Sequence, residues 1–103
     1  MNPQIPQITP AQVADRTEAV LLDVREADEV AAGRIAGSTH IPLGQLAARA
    51  FELDRARPVI TVCRSGGRSS QAAQFLAAQG YDVANLAGGM TAWAADGRPV
   101  TTG

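Results

Sequence analysis

Val59-Ile60-Thr61-Val62-Cys63-Arg64-Ser65-Gly66-Gly67-Arg68-Ser69 is the stretch on which the fold turns. Its first four residues, mostly β-branched, have the profile of a strand, and they deliver the chain directly to its lone cysteine. Arg64 to Arg68 reads as a tight loop, and Ser69 to Gln79 (SSQAAQFLAAQ) carries the strongest helical pattern in the chain, terminated by Gly80. Downstream, Asp82 to Leu86 reads as a short strand, Gly88-Gly89 as a turn, and Met90 to Ala95 as a short helix holding Trp93. Upstream, Leu43 to Leu53 has amphipathic helical spacing and is closed off by Pro58. Ser38 to Ile41 is a strand broken by Pro42, and Ala19 to Val24 (AVLLDV) is an apolar run fit for a strand covered on both faces. Asp23 and Glu26 have capping-box spacing ahead of a helix over Ala27 to Ala32, which Gly33 ends. Nearest the start, Ile5 to Ile8 is a strand, Thr9 an N-cap, Pro10 the first helical residue and Gln12 the residue that reaches back to the cap. Strands that alternate with helices require crossover connections, so the expected class is α/β: a mostly parallel sheet with helices on both faces. Ligands of such sheets bind beyond the carboxyl ends of the strands, which is where Cys63 falls.

The 103 residues allow one domain, expected to span 1–103 with its core at about 5–100. Hydrophobic residues at 46% and charged residues at 18% fit a packed core and argue against disorder. A net charge of -1 lacks the electrostatic footprint of a nucleic-acid binder or of a polybasic membrane-surface protein. One cysteine permits no intrachain disulfide and no multi-cysteine zinc site. The first residues carry neither a basic start nor a signal-length apolar run, and nothing approaches a membrane span, so a cytoplasmic protein is expected.

The chemistry centres on Cys63. A cysteine at a strand end, followed by two glycines and a helix N-terminus, sits where backbone N–H groups converge. Gly66 and Gly67 are expected to supply the left-handed backbone angles that such a cradle needs. Its positive potential, with Arg64 and Arg68 nearby, favours the thiolate and makes Cys63 a nucleophile near neutral pH. The phosphate-binding patterns GxGxxG and GxxxxGK[ST] are absent, and so is lysine, which removes the P-loop reading. His40, the only histidine, reads as structural, because a thiolate activated by a nest needs no base; Met90 and Trp93 read as core.

Asp23-Val24-Arg25, Gly33 to Ser38, His40-Ile41-Pro42, Cys63 to Ser69 and Leu86 to Trp93 together resemble the rhodanese (thiosulfate sulfurtransferase) family, in order over nearly the whole chain. The resemblance implies a stand-alone rhodanese-like three-layer domain with a five-stranded, mostly parallel sheet flanked by helices. It implies that Cys63 carries sulfur as a persulfide, that Arg64, Ser65, Gly66, Gly67, Arg68 and Ser69 form the substrate-binding loop, and that Asp23 and Arg25 support it. No metal and no organic cofactor are implied. The implied partners are a small-molecule sulfur donor such as thiosulfate, a thiol or cyanide as acceptor, and a sulfur-relay protein. The chain departs from the family's common G-H-I-P-G-A segment, with Arg34 for histidine, Ala36 for proline and Ser38 for alanine.

Two other readings stand beside sulfur transfer. A cysteine phosphatase or arsenate reductase shares the strand–cysteine–loop–helix element, and a non-catalytic rhodanese-like module would serve regulation or docking. Retention of Cys63 with both arginines disfavours the module. Against the phosphatase stands loop size: phosphatases resemble one another in a Cys-x5-Arg loop, whereas Arg68 follows Cys63 after four residues and Ser69 fills the position of the phosphatase arginine. One residue is worth up to ~3.5 Å of chain, more than a cradle of hydrogen-bond donors tolerates.

Overall fold

The computed structural model describes residues 4–102; residues 1–3 and 103 of the expected span lie outside the described residues. Five strands form one sheet: β1 (Gln7–Ile8), β2 (Val20–Asp23), β3 (Thr39–His40), β4 (Val59–Val62) and β5 (Val83–Leu86), in the spatial order β1-β5-β4-β2-β3. All four pairings between them are parallel, with Asp23 opposite Val62 and Thr61 opposite Asn85. An isolated antiparallel bridge joins Arg34 to Thr101 outside the sheet. The helices are α1 (Pro10–Asp15), α2 (Ala27–Ala32), α3 (Leu46–Arg49), α4 (Gly67–Ala78) and α5 (Gly89–Ala95).

Side chains of the central strand alternate between two apolar layers, as the period of a pleated strand demands. Val59 and Cys63 join Leu46 of α3 and Ala72, Ala73 and Leu76 of α4, while Ile60 and Val62 join Val13 of α1 and Met90 and Trp93 of α5. The helices therefore cover both faces, and the expected three layers are present. From the adjacent strands β2 and β4 the chain leaves in opposite directions, to β3 and to β5, so a crevice opens between their carboxyl ends. Cys63 stands at that crevice.

At the first helix the expected cap is found: Thr9 Oγ1 accepts from the Gln12 N–H at 3.2 Å, and Gln12 Oε1 accepts from the Thr9 N–H at 2.9 Å. Elsewhere the structure corrects local expectations. Leu43 to Leu53 is not one amphipathic helix but a single α-turn, α3, between 3₁₀ turns at Leu43–Gln45 and Ala50–Glu52. The three-residue spacing of Leu43 and Leu46, and of Ala50 and Leu53, suits that tighter winding. The N-cap of α2 is Glu26 rather than Asp23, and the Glu26 N–H donates to Glu29 Oε1 at 3.0 Å. Gly33 ends α2 in extended backbone; it is small because Val100 packs against it, and a Cβ there would lie 2.7 Å from Val100 Cγ1. Finally, α4 begins at Gly67, two residues before the expected Ser69, which puts Arg68 in its first turn.

Candidate active site

The loop between β4 and α4 is shaped by one left-handed residue. Gly66, at φ +110°, caps α4, and its carbonyl accepts from the Ser70 N–H at 3.0 Å and the Ser70 hydroxyl at 2.7 Å. That reversal aims the Gly66 N–H at Cys63 Sγ, 3.0 Å away, while Ser69 Oγ approaches the same sulfur at 3.3 Å. Gly67 does not share the left-handed geometry expected of it; it is helical, and a Cβ on it would meet open space.

Cys63 is 1% exposed. Burial pushes its thiol up, but the Ser69 hydroxyl and the N–H groups of Ser69, Gly66 and Ser65 outweigh it and hold the thiol below its ordinary value. The pull comes from neutral donors arranged around the sulfur, so the thiolate is favoured without a base. His40 plays no part in that contact: its Nε2–H donates to the Arg25 carbonyl at 2.7 Å and ties β3 to the end of β2.

Asp23 and Arg25 lie next to the loop in a buried ion pair. Arg25 is 6% exposed; its Nη2 donates to Asp23 Oδ2 at 2.7 Å and to the Gly33 carbonyl at 2.8 Å, and its Nη1 donates to the Glu29 carbonyl at 3.3 Å. Asp23 sits opposite Val62, one residue before Cys63, and the Val24 N–H donates to the Val62 carbonyl at 3.0 Å. The pair thus fixes the strand end that abuts the cysteine and ties it to α2. Arg64 is exposed, and among the described residues its side chain has no hydrogen-bond partner; Ser65 and Gly67 are exposed beside it.

Three further sets of contacts bear on the loop, two of them from residues with no expected role at the site, Glu29 and Asn85. Glu29 receives both terminal nitrogens of Arg68, at 2.6 and 2.8 Å. Its capping-box distance from Glu26 is the only local signal it carries. Asn85, buried in β5, donates to Gln7 Oε1 at 2.8 Å and to Ser70 Oγ at 3.1 Å, and its Oδ1 accepts from Thr61 Oγ1 at 3.1 Å; a polar residue inside an apolar strand is its signature. Across from them, α5 donates from Met90 N–H to the Cys63 carbonyl at 2.8 Å and from Thr91 N–H to the Arg64 carbonyl at 3.0 Å. Both residues that read as core, Met90 and Trp93, are buried. The departures from the family segment answer one another, because Arg34 folds back onto Ser38, with Nη2 reaching its carbonyl and its Oγ, the latter at 3.1 Å.

A small cysteine loop with a favoured thiolate can attack an electrophilic atom presented end-on. The model of the rhodanese-like domain family matches residues 9–96. A sulfurtransferase of Allochromatium vinosum is 40% identical over 90 residues, covering 86% of this chain and 84% of its own. A thiosulfate sulfurtransferase, GlpE, of Pseudoalteromonas translucida is 35% identical over 85 residues, covering 82% and 81%. The crystal structure of a rhodanese-related protein from Thermoplasma volcanium superposes with a TM-score of 0.90 at 32% identity, covering 93% of this chain and 97% of that one. With its five parallel strands and its cysteine loop at the crevice between β2 and β4, the chain belongs to the rhodanese-like domain family.

Proposed function

We propose that this protein is a thiosulfate sulfurtransferase that works by a two-step exchange through a Cys63 persulfide. The observation that carries the reading is the pair of donors on Cys63 Sγ, the Gly66 N–H and the Ser69 hydroxyl. In the first step the Cys63 thiolate attacks the outer sulfur of thiosulfate, a sulfur–sulfur bond forms, the donor's sulfur–sulfur bond breaks, and sulfite leaves with the electron pair. The same donors then hold the negative terminal sulfur of the persulfide, and cyanide, a small thiol or the thiol of a sulfur-relay protein removes it. Sulfur passes from one nucleophile to another with no net oxidation, so the reaction as written calls for no metal and no organic cofactor. Arg64, Ser65, Gly66, Gly67, Arg68 and Ser69 form the loop that receives the donor, with the planar fork of Arg64, which is exposed and has no hydrogen-bond partner among the described residues, suited to a pair of sulfonate oxygens. Asp23 and Arg25 support that loop. The thiosulfate sulfurtransferase among the relatives supports the choice of donor.

Intact mass measurement tests this reading. Thiosulfate should add the mass of one sulfur atom to the protein and cyanide should remove it, while Cys63→Ala should abolish both the adduct and thiocyanate formation. Native turnover of an aryl phosphate faster than thiosulfate, lost in Cys63→Ser, would overturn the reading in favour of a phosphatase.

A further inference from the structure

The two arginines of the Cys63 loop stand in different electrostatic situations. Arg64 is exposed, and among the described residues no carboxylate pairs with it. Arg68 instead commits its fork to Glu29, Nη1 to Oε1 at 2.6 Å and Nη2 to Oε2 at 2.8 Å, using the two-pronged geometry that it would otherwise offer an incoming oxyanion. Glu29 is aimed from α2, its Oε1 also accepting the Glu26 N–H. The residue after Arg68 is Ser69, whose hydroxyl lies 3.3 Å from Cys63 Sγ, so the ion pair is held one residue along the chain from a side chain that touches the sulfur. Both partners remain partly exposed, at 34% and 27%, within reach of a solute.

We propose that Glu29 is a specificity-determining positioning residue, which by occupying Arg68 removes one positive charge from the Cys63 loop and raises KM for the dianion thiosulfate while leaving persulfides of lower charge admitted as donors. The inference rests on the sulfur-transfer reading and deepens it to a donor class. Attack on thiosulfate brings a thiolate against a divalent anion, and with Arg68 paired to Glu29 the loop has Arg64 as its one arginine without a carboxylate partner among the described residues. Attack on an alkyl persulfide, RS–SH, is different: the Cys63 thiolate bonds to the outer sulfur, the RS–S bond breaks, RS⁻ leaves with the electron pair, and Cys63 carries S–SH. With an uncharged R group and a protonated perthiol a single negative charge is present throughout, so a missing cation penalises this donor far less.

The test compares kcat/KM for thiosulfate and for 2-hydroxyethyl persulfide, whose organic part is uncharged, in the native protein, in Glu29→Gln and in Glu29→Asp. The native protein should load sulfur from both donors, with the higher KM for thiosulfate. Glu29→Gln should lower KM for thiosulfate and raise its kcat/KM roughly tenfold, with the persulfide value held within about twofold and the gain shrinking as salt is added. Glu29→Asp keeps the charge and should keep the native donor ratio. Equal losses for both donors in Glu29→Gln would make Glu29 a mere brace, and an unchanged donor ratio would equally overturn the inference. Should Glu29→Gln fail to fold, Glu29→Ser at the same surface position provides the charge-free comparison. Failure of both donors to load the native protein would instead sink sulfur transfer itself, so the two failures are distinguishable.

Discussion

Two glycine pairs, Gly66-Gly67 and Gly88-Gly89, each carry the chain from a strand of the same sheet into a helix, yet they do opposite work. In the first pair only Gly66 has a positive φ, and the space around a Cβ on Gly67 is empty. In the second pair both residues are left-handed, at φ +75° and +55°, and both are crowded. A Cβ on Gly88 would lie 2.7 Å from Ala92 Cβ, and one on Gly89 would lie 2.3 Å from the Cys63 carbonyl oxygen and 2.7 Å from the Arg64 carbonyl carbon. The pair beside the cysteine aims a single N–H; the pair one strand away lets α5 come close enough to hold the loop by its carbonyls. The tighter steric constraint on the cysteine loop therefore lies some 25 residues downstream of it in the sequence.

Substitution by alanine breaks this comparison most sharply at Gly89. A Cβ there must displace the loop backbone and adopt a left-handed angle, which together should cost about 2 to 4 kcal/mol and lower the melting temperature by roughly 10 °C or more. Cys63 alkylation should also slow, because the loop can move only by disturbing the carbonyls that α5 holds. Gly66→Ala comes next. Its Cβ would meet only ordinary contacts, the nearest being the Gly88 nitrogen at 3.5 Å, so the expense is the left-handed angle alone, about 1 to 2 kcal/mol. Its larger signature should be chemical, with the midpoint of Cys63 alkylation against pH moving up as the Gly66 N–H turns away from the sulfur. Gly67→Ala should be neutral or stabilising by up to about 1 kcal/mol, since alanine favours the helix it would join. Loss of stability in Gly67→Ala equal to that in Gly66→Ala would erase the distinction between the two halves of the pair.

The legible and illegible parts of the site divide along the same line. Val59 to Val62 betrays itself as a strand by its β-branched side chains, and Thr9-Pro10-Ala11-Gln12 as a helix start, because both depend on neighbours within four residues. The placement of Cys63 at a carboxyl edge follows from the alternation of strands and helices. Spacing fails where one pattern serves two purposes. Asp23 and Glu26 have the interval of a capping box, but the Asp23 carboxylate is taken by Arg25 and the cap falls to Glu26. Two adjacent glycines likewise do not say which of them turns left-handed, and that choice set the start of α4. Contacts across the fold leave no local trace: Glu29 and Arg68 are 39 residues apart, and Asn85 and Gln7 are 78 apart. Leu43 to Leu53 misled because i, i+3 apolar spacing suits a 3₁₀ turn as well as an α-helix.

The smallest expected effect concerns the side of the loop that α5 does not touch, where an ion pair takes the place of close packing. Hydrogen bonds from the Arg68 guanidinium, then from the Glu26 N–H, hold the Glu29 carboxyl down to about 2, against an ordinary value of 4.5, with burial opposing them weakly. A carboxyl whose pKa is depressed by folding stabilises the protein above its unfolded value and loses that contribution as pH falls through the folded one. The window here runs from about pH 4.5 down to about pH 2. Water screens both partly exposed partners, so the pair should contribute less than about 1 kcal/mol. Urea midpoints of the native protein and of Glu29→Gln should therefore differ slightly at pH 7, converge as pH drops through that window, and coincide near its lower end. The deficit of Gly89→Ala, measured in the same series, should stay level across the window, because a clash between a Cβ and a carbonyl oxygen carries no proton. A Glu29→Gln deficit that persists unchanged at the low end would mean that Glu29 holds the loop by packing, and the contrast between an ionic side and a steric side of the Cys63 loop would be lost.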